Sequence, residues 1–158
     1  MKFQRILIGI DDSKFSENAA EYGFELAHAF KAHVGLVHIT EPIVVPPIND
    51  PGMIGSMIPS LDINDPELIN IQEEYASNLV DRTIEKYAGK LEVTRFNEFG
   101  STADAIIDCI GKFNSDLVVL GTHSRTGLDR FFMGSIAEDV VRHSPVPVLV
   151  VPLKKADQ

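Results

Sequence analysis

The stretch DLVVLGTHSRTGLDRFFMGSIAEDVV, residues 116–141, joins a buried strand to a helix through a loop rich in glycine and hydroxyl residues. Its first part, DLVVLGT (116–122), is a continuous apolar run, which is typical of a strand that is covered on both faces. A helix is predicted over SIAEDVVRHS (135–144). A buried strand that passes through such a loop into a helix is the repeating unit of an α/β fold.

The same alternation runs along the rest of the chain. Further strands are predicted at FQRILIGI (3–10), VGLVHIT (34–40), LEVTRFNEF (91–99) and PVPVLVVP (145–152), with intervening helices over about 13–31, 65–88 and 100–113. Right-handed crossovers then give an α/β fold with a five-stranded, parallel, doubly wound sheet and helices on both faces. We therefore predict one Rossmann-like domain over residues 1–158.

A long segment at about 41–65 interrupts this rhythm, because its prolines and glycines fit neither the strand nor the helix period. Asp65 followed by Pro66 predicts the start of the next helix. The periodicity of that helix predicts an inward face made of Leu68, Ile71, Tyr75, Leu79 and Ile84.

Composition narrows the possible partners. The formal net charge is -9, and no basic tail or stripe is visible, which argues against nucleic acid and anionic membranes as partners. No apolar run approaches the length of a membrane span, and the first residues do not resemble a signal peptide. Cys109 is the single cysteine, so no internal disulfide is possible and we expect a cytoplasmic setting. It lies in an apolar-periodic helix, which predicts a buried structural thiol.

Ligands of doubly wound sheets bind beyond the carboxyl ends of the strands, at the switch point. In this chain Asp11-Asp12, Thr40-Glu41 and Gly121-Thr122 mark those ends. Gly134-Ser135 opens a helix there, and the amides of a helix N-terminus favour an anion. Arg125 and Arg130 are able to neutralise phosphate. An ordinary loop followed by a serine-capped helix explains the same residues equally well.

Other kinds of site are less well supported by the sequence. Asp11 and Asp12 match the paired Mg²⁺-binding acids of receiver domains, but strand three lacks the phospho-accepting aspartate; plain helix-capping acids are a stronger alternative. His38 lies within an apolar strand and is expected to be a satisfied core histidine. His123 and Ser124 are adjacent residues without a nucleophile elbow, so a Ser-His catalytic pair is not predicted.

The chain resembles the universal stress protein family. The phrases ILIGIDDS (6–13), GSTADAII (100–107) and GSIAEDVVRHSPVPVLVVP (134–152) are similar to that family. Its ATP-binding members carry Gly, two residues, Gly, nine residues and then Gly-Ser or Gly-Thr. Gly121, Gly134 and Ser135 match this motif, whereas Ser124 replaces its second glycine. The resemblance covers essentially the whole chain, apart from the long segment at 41–65.

The resemblance implies a set of ATP-binding residues. Asp11 resembles the acid that contacts adenosine, with Ile10 beside it, and Ile39 resembles the residue that meets adenine through its backbone. The positions expected at the ribose and phosphates are Leu120, Gly121, Ser124, Arg125, Gly134, Ser135 and Ile136. Mg²⁺ is expected to accompany the triphosphate and to be held mainly by its oxygens.

The resemblance also implies a function. We expect a cytoplasmic, ATP-binding homodimer, paired through the last strand (147–152), that acts in stress adaptation or signalling toward an unidentified protein partner. Bound nucleotide would change the surface shown to that partner. No general base is positioned by the sequence, so no catalytic residue is predicted and any ATP hydrolysis should be slow. The alternatives are a dimeric interaction module that binds no nucleotide, favoured by Ser124, or a true ATP hydrolase.

Overall fold

The computed structural model describes residues 2–41, 65–122 and 134–153, in which strands and helices alternate. In chain order the elements are β1 Arg5–Gly9, α1 Lys14–Phe30, β2 His33–Thr40, α2 Pro66–Tyr87, β3 Val93–Phe99, α3 Thr102–Phe113, β4 Leu117–Thr122, α4 Ser135–His143 and β5 Val148–Pro152. The predicted elements are all found, with ends that differ by a few residues.

The strands form one five-stranded parallel sheet in the order β3-β2-β1-β4-β5. The chain moves outward from β1 to β3, then returns to the other side of β1 and moves outward again through β4 and β5. The direction of winding therefore reverses between β1 and β4, which makes this pair the switch point of the sheet. The predicted fold class is confirmed.

Two apolar layers cover the sheet because successive residues of a strand face opposite sides. Ile6 and Ile8 of β1 pack with Phe24 of α1 and Val80 of α2 on one face. Leu7 of β1 lies in a separate cluster with residues of α3, β4 and α4 on the other face. Helices α1 and α2 thus cover one face and α3 and α4 the other, as the sequence predicts.

Polar residues cap α1 and α2 where the sequence predicts them. Ser13 caps α1, where its Oγ accepts a hydrogen bond from the amide of Ser16 at 3.2 Å. Asp65 caps α2 through the amide of Glu67 at 2.9 Å, and Pro66 occupies the first turn. A cap satisfies amides that have no partner within the helix and contributes about 1 kcal/mol.

The predicted inward face of α2 is wrong at two positions. Ile71 is 58% exposed and Tyr75 is 45% exposed. Burial along α2 begins only at Ala76 and includes Leu79 and Val80. The first half of the helix therefore extends past the part that packs on the sheet, and within residues 2–41, 65–122 and 134–153 no buried layer lies beneath its apolar side.

Two predictions about single residues are confirmed. Cys109 is fully buried, and this burial raises the pKa of its thiol to about 11, so the reactive thiolate is disfavoured. His38 is also buried, and its Nδ1 forms a hydrogen bond with the carbonyl oxygen of Ile10 at 3.0 Å. This contact ties β2 to the end of β1 and explains how a polar ring is accommodated in the core.

Candidate functional site

A cleft of about 510 Å³ lies at the carboxyl ends of β1, β2 and β4, across the switch point of the sheet. We call it the main cleft. It is lined by Gly9, Ile10, Asp11, Ser13, Phe15, Ser16, Val37, Ile39, Glu41, Thr102, Ile106, Leu120, Gly121, Gly134, Ser135, Ile136 and Ala137. Its volume is in the range of small-molecule and cofactor sites.

The main cleft brings together the predicted site residues that the structure describes. These are Ile10, Asp11, Ile39, Leu120, Gly121, Gly134, Ser135 and Ile136. Ser124 and Arg125 lie outside the described residues, as does His123. Four elements that are far apart in sequence therefore contribute to one concave surface, as expected for a doubly wound sheet. The role of each residue as a ligand contact stays a prediction.

One end of the main cleft is apolar. Val37 is 1% exposed and Ile106 is 2% exposed, and both belong to the core cluster beneath α3 and α4, against which Ile39 packs. Gly9 allows the Leu120 side chain to pack closely against β1, because a Cβ added there would lie 2.6 Å from Cδ2 of Leu120. An apolar surface of this kind fits the flat face of an aromatic ring.

Gly121 has a structural role that its sequence motif does not reveal. A Cβ added at Gly121 would lie 2.5 Å from the carbonyl oxygen of Phe15 and 3.0 Å from the amide nitrogen of Ser16. The close approach that glycine permits here is therefore between β4 and the first turn of α1. It brings the start of α1 against the strand and so shapes the wall of the main cleft.

The N-terminus of α4 forms another part of the wall. Gly134, the residue before the helix, has φ of 82° and ψ of 137°, a backbone conformation that favours glycine. It provides no side-chain cap, so the first amides of α4 have no partner within the helix. These amides and the positive end of the helix dipole favour an anion.

The turn between β1 and α1 separates the two aspartates. The Asp11 amide donates to Ser16 Oγ at 2.7 Å, and Asp11 Oδ1 accepts from the Ser13 amide at 2.8 Å. Asp12 Oδ2 instead accepts a hydrogen bond from the Tyr75 hydroxyl at 2.9 Å. The cap of α1 is Ser13, so Asp11 does not cap the helix; one of its oxygens bonds the turn before α1, and the residue lines the main cleft. Among the described residues, no group of three His, Cys, Asp or Glu side chains is placed to hold a metal ion.

Sequence patterns alone do not indicate that Glu41 and Thr102 meet. Glu41 follows β2, Thr102 begins α3, and the Thr102 hydroxyl donates a hydrogen bond to Glu41 Oε1 in the wall of the main cleft. The only available signal was that Thr40-Glu41 ends a strand. Their pairing depends on the β2–β3 register, in which Thr40 lies opposite Phe99, just before α3.

A second cleft of about 290 Å³ lies on the other side of the turn after β1, between α1 and α2. It is lined by Ile10, Asp11, Asp12, Ser13, Ser16, Glu17, Ala20, Leu79, Arg82, Thr83, Lys86 and Tyr87. Lys86 forms an ion pair with Glu17 that links α2 to α1. At the edge of this cleft, the hydrogen bond to Asp12 raises the pKa of the Tyr75 phenol.

None of the helices in the described part of the chain is both long enough and apolar enough to cross a membrane.

The fold occurs in several known proteins. A universal stress protein of Methanocaldococcus jannaschii is 29% identical over 98% of this chain and 85% of its own length. The structure of universal stress protein UspA from Lactobacillus plantarum superposes with a TM-score of 0.74 and 21% identity, over 96% of this chain and 99% of that chain. The structure of the universal stress protein from Archaeoglobus fulgidus in complex with dAMP has a TM-score of 0.60 and 20% identity, over 95% and 98% of the chains.

The sequence profile of the universal stress protein family matches residues 2–152. This range includes every element of the sheet and every residue of the main cleft. The chain therefore belongs to the universal stress protein family.

Proposed function

We propose that this protein binds ATP in the main cleft and acts in stress adaptation or signalling in the cytoplasm. The observation that carries the proposal is the composition of that cleft. An apolar floor at β2 and α3 is joined to the uncapped N-terminus of α4 within one space of about 510 Å³. A nucleotide has the same two parts, a flat apolar-faced base and an anionic phosphate chain.

The order of the strands in the sheet gives the proposed orientation of ATP in the main cleft. Strands β2 and β4 are separated by β1, so their ends lie about 10 Å apart at ordinary strand spacing. In the proposed complex the base lies on Ile39 and the ribose lies near Asp11, at the end of β1. The phosphates meet the amides at Gly134, Ser135 and Ile136, and Mg²⁺ is held by the phosphate oxygens. Ser124 and Arg125 are proposed as further phosphate contacts.

A relative supports the nucleotide class. The Archaeoglobus fulgidus protein with this fold has been solved in complex with dAMP, an adenine nucleotide. In this chain Gly121, Gly134 and Ser135 occur at the spacing of the family's ATP-binding motif. The sequence and the cleft therefore favour the same class of ligand.

Calorimetric titration with ATP tests the proposal, with Gly134→Val as the variant. We expect a loss of at least about tenfold in affinity, because the added side chain crowds the approach to the α4 amides. Gly100→Val is the matched control, since Gly100 also has positive φ, 130°, but does not line the cleft. Both variants introduce backbone strain, but only Gly134→Val should show a reduced affinity for ATP. A wild-type protein that neither binds ATP nor co-purifies with a nucleotide contradicts the proposal.

Binding, not turnover, is the proposed basis of function. Bound ATP would alter the surface around the carboxyl ends of the strands and so change recognition by a protein partner. We expect at most slow hydrolysis. One oxygen of Asp11 is engaged by the Ser13 amide, and Glu41, which follows β2, is bonded to Thr102. Phosphate release under saturating Mg²⁺-ATP measures this, and rapid turnover would indicate a hydrolase instead.

The proposed active form is a homodimer paired through β5. This strand lies at the edge of the sheet and is bonded to β4 on one side. Val148, Leu149 and Val150 are partly exposed there, and an apolar strand edge favours pairing with an identical strand across a twofold axis.

The dimer is tested by sedimentation at micromolar concentration. Val148 packs against the cluster beneath α3 and α4, whereas Val150 belongs to neither core cluster. Val150→Lys is therefore the cleaner variant, and Val148→Lys risks a loss of stability as well. We expect Val150→Lys to shift the protein toward monomer. A wild type that is monomeric at this concentration contradicts the dimer without affecting the nucleotide proposal.

A further inference from the structure

We propose that Glu41, held by Thr102, selects adenine over 6-oxopurines by accepting a hydrogen bond from the 6-amino group of the base. This inference rests on the proposed function, and names the group that reads the base. It is carried by the position of the Glu41–Thr102 pair in the main cleft and by the distribution of charge around that cleft.

Three helices begin at the main cleft, and they differ in what precedes them. Asp11 lies before α1 and bonds the Ser13 amide, while Glu41 lies against the start of α3 and bonds the Thr102 hydroxyl. The N-cap of α4 is Gly134, which has no carboxylate, and Glu138 in the first turn of α4 is paired with Arg142. Negative charge thus already occupies the surroundings of α1 and α3, so the phosphates are directed to α4. The base then lies toward β2 and α3, next to Glu41.

The Glu41 carboxylate is positioned, although it lies near the surface. Oε1 accepts the hydrogen bond from Thr102, whose place is set by the first turn of α3. The N-cap of that helix, Ser101, makes no side-chain capping bond, and the positive end of the α3 dipole favours an anion nearby. Oε2 has no partner within 2–41, 65–122 and 134–153, and remains able to accept a hydrogen bond from a ligand.

The substituent at C6 of the base determines whether Glu41 Oε2 accepts a hydrogen bond from it. Adenine carries an amino group at C6, which donates, whereas hypoxanthine and guanine carry an oxygen there, which accepts. A carboxylate beside that edge gains a hydrogen bond from adenine. In the proposed pose the carboxylate lies beside the C6 substituent and away from N1, which carries a donor N–H in the other two bases. There it meets their C6 oxygen, which is an acceptor, and one such polar mismatch gives roughly tenfold discrimination or more.

The test compares ATP with ITP, which differs only at the C6 edge of the base, in calorimetric titrations. We expect wild type to prefer ATP and Glu41→Gln to reduce that preference by about tenfold, because the glutamine amide can donate to the 6-oxo group. Thr102→Val removes the hydroxyl at nearly constant shape and should reduce the preference partly. Glu92→Gln is the control, since Glu92 is an exposed glutamate outside the cleft and its substitution makes the same change of charge.

The outcomes separate this inference from the proposed function. If wild type binds ATP and the ratio of ATP to ITP affinity is the same in Glu41→Gln, the role of Glu41 is wrong while nucleotide binding stands. If Glu41→Gln changes the ratio of ATP to dATP affinity but leaves ATP to ITP unchanged, Glu41 contacts the sugar and the inference is overturned. If no nucleotide binds to wild type, the proposed function itself fails.

Discussion

The main cleft and the second cleft share the turn after β1, yet their walls differ in what they leave available to a ligand. Both include Ile10, Asp11, Ser13 and Ser16. The main cleft adds an apolar floor and the uncapped start of α4. In the second cleft, the charged side chains of Lys86 and Glu17 already bond each other, as do Tyr75 and Asp12 at its edge.

We infer from this difference between the two clefts that a cleft lined by charged side chains is not by itself a binding site. Charges that already neutralise each other across α1 and α2 give an anion little additional energy. The first amides of α4 have no partner within the helix and no side-chain cap among the described residues, so a ligand is able to bond them. The main cleft is therefore the proposed nucleotide site, and in the second cleft the Lys86–Glu17 pair links α2 to α1.

The largest effect is expected when the wall of the main cleft is rebuilt. Gly121→Ala places a Cβ 2.5 Å from the carbonyl oxygen of Phe15, a backbone atom that cannot rotate away. We expect a loss of about 2 kcal/mol or more in the free energy of unfolding, measured by urea denaturation without nucleotide.

Gly111→Ala is the matched control for this substitution. Gly111 is exposed within α3, and a Cβ added there meets no atom within 4 Å. Alanine in a helix interior should stabilise the protein by about 0.5–1 kcal/mol. A Gly121→Ala protein as stable as wild type would mean that the close packing of β4 on α1 is not required, and the glycine would then be explained by the ligand alone.

The next largest effect is a loss of ATP affinity without a loss of protein stability. Ser135→Asp introduces a carboxylate at the start of α4, where it competes with phosphate for the amides. We expect ATP affinity to fall about tenfold, or roughly 1.4 kcal/mol. Thermal stability without ATP should not fall, because an acid in the first turn complements the helix dipole. Ser135→Asn, similar in size and neutral, separates charge from bulk; equal losses in the two variants would argue against an anion at this position.

A smaller effect is expected in the second cleft. Lys86→Ala removes the ion pair with Glu17, and both side chains are more than half exposed. If the phosphates lie at α4, ATP affinity should change by less than about twofold, as expected for an exposed pair away from the ligand. Titration of this variant beside Ser135→Asp is the direct comparison of the clefts. A larger loss in Lys86→Ala would move the phosphates to the second cleft.

The sequence predicted the features that arise from local patterns. The order of strands and helices followed from apolar runs, and the positions around the main cleft followed from the strand ends together with the family motif. Caps at Ser13 and Asp65 were recognisable because capping depends on a few neighbouring residues. These features need no knowledge of which strand lies beside which.

Features that depend on tertiary neighbours were missed. Helical periodicity identified the apolar side of α2, but it did not show that the core beneath it begins at Ala76, so Ile71 and Tyr75 were wrongly placed inside. The Glu41–Thr102 bond joins residues from separate elements and requires the sheet register. The sequence predicts a close backbone approach at Gly121, but it does not show that the approaching atoms belong to the backbone of Phe15, because that contact requires α1 to pack on β4.

The smallest effect tests the polar link at the edge of the second cleft. Its hydrogen bond to Asp12 raises the pKa of the Tyr75 phenol above its usual value of 10.0, so the folded state holds the phenolic proton more tightly than the unfolded state does. The resulting stability is present below pH 10 and is lost as pH rises through the folded pKa. Tyr75 is 45% exposed, so water competes for the hydrogen bond, and Tyr75→Phe should lower the free energy of unfolding by well under about 1 kcal/mol at pH 8.

Urea denaturation of wild type and Tyr75→Phe at pH 8 and pH 11 tests this prediction. The difference in free energy of unfolding should be smaller at pH 11, and ATP affinity at pH 8 should be unaffected. A difference that grows with pH would mean that the Tyr75–Asp12 bond does not stabilise the fold.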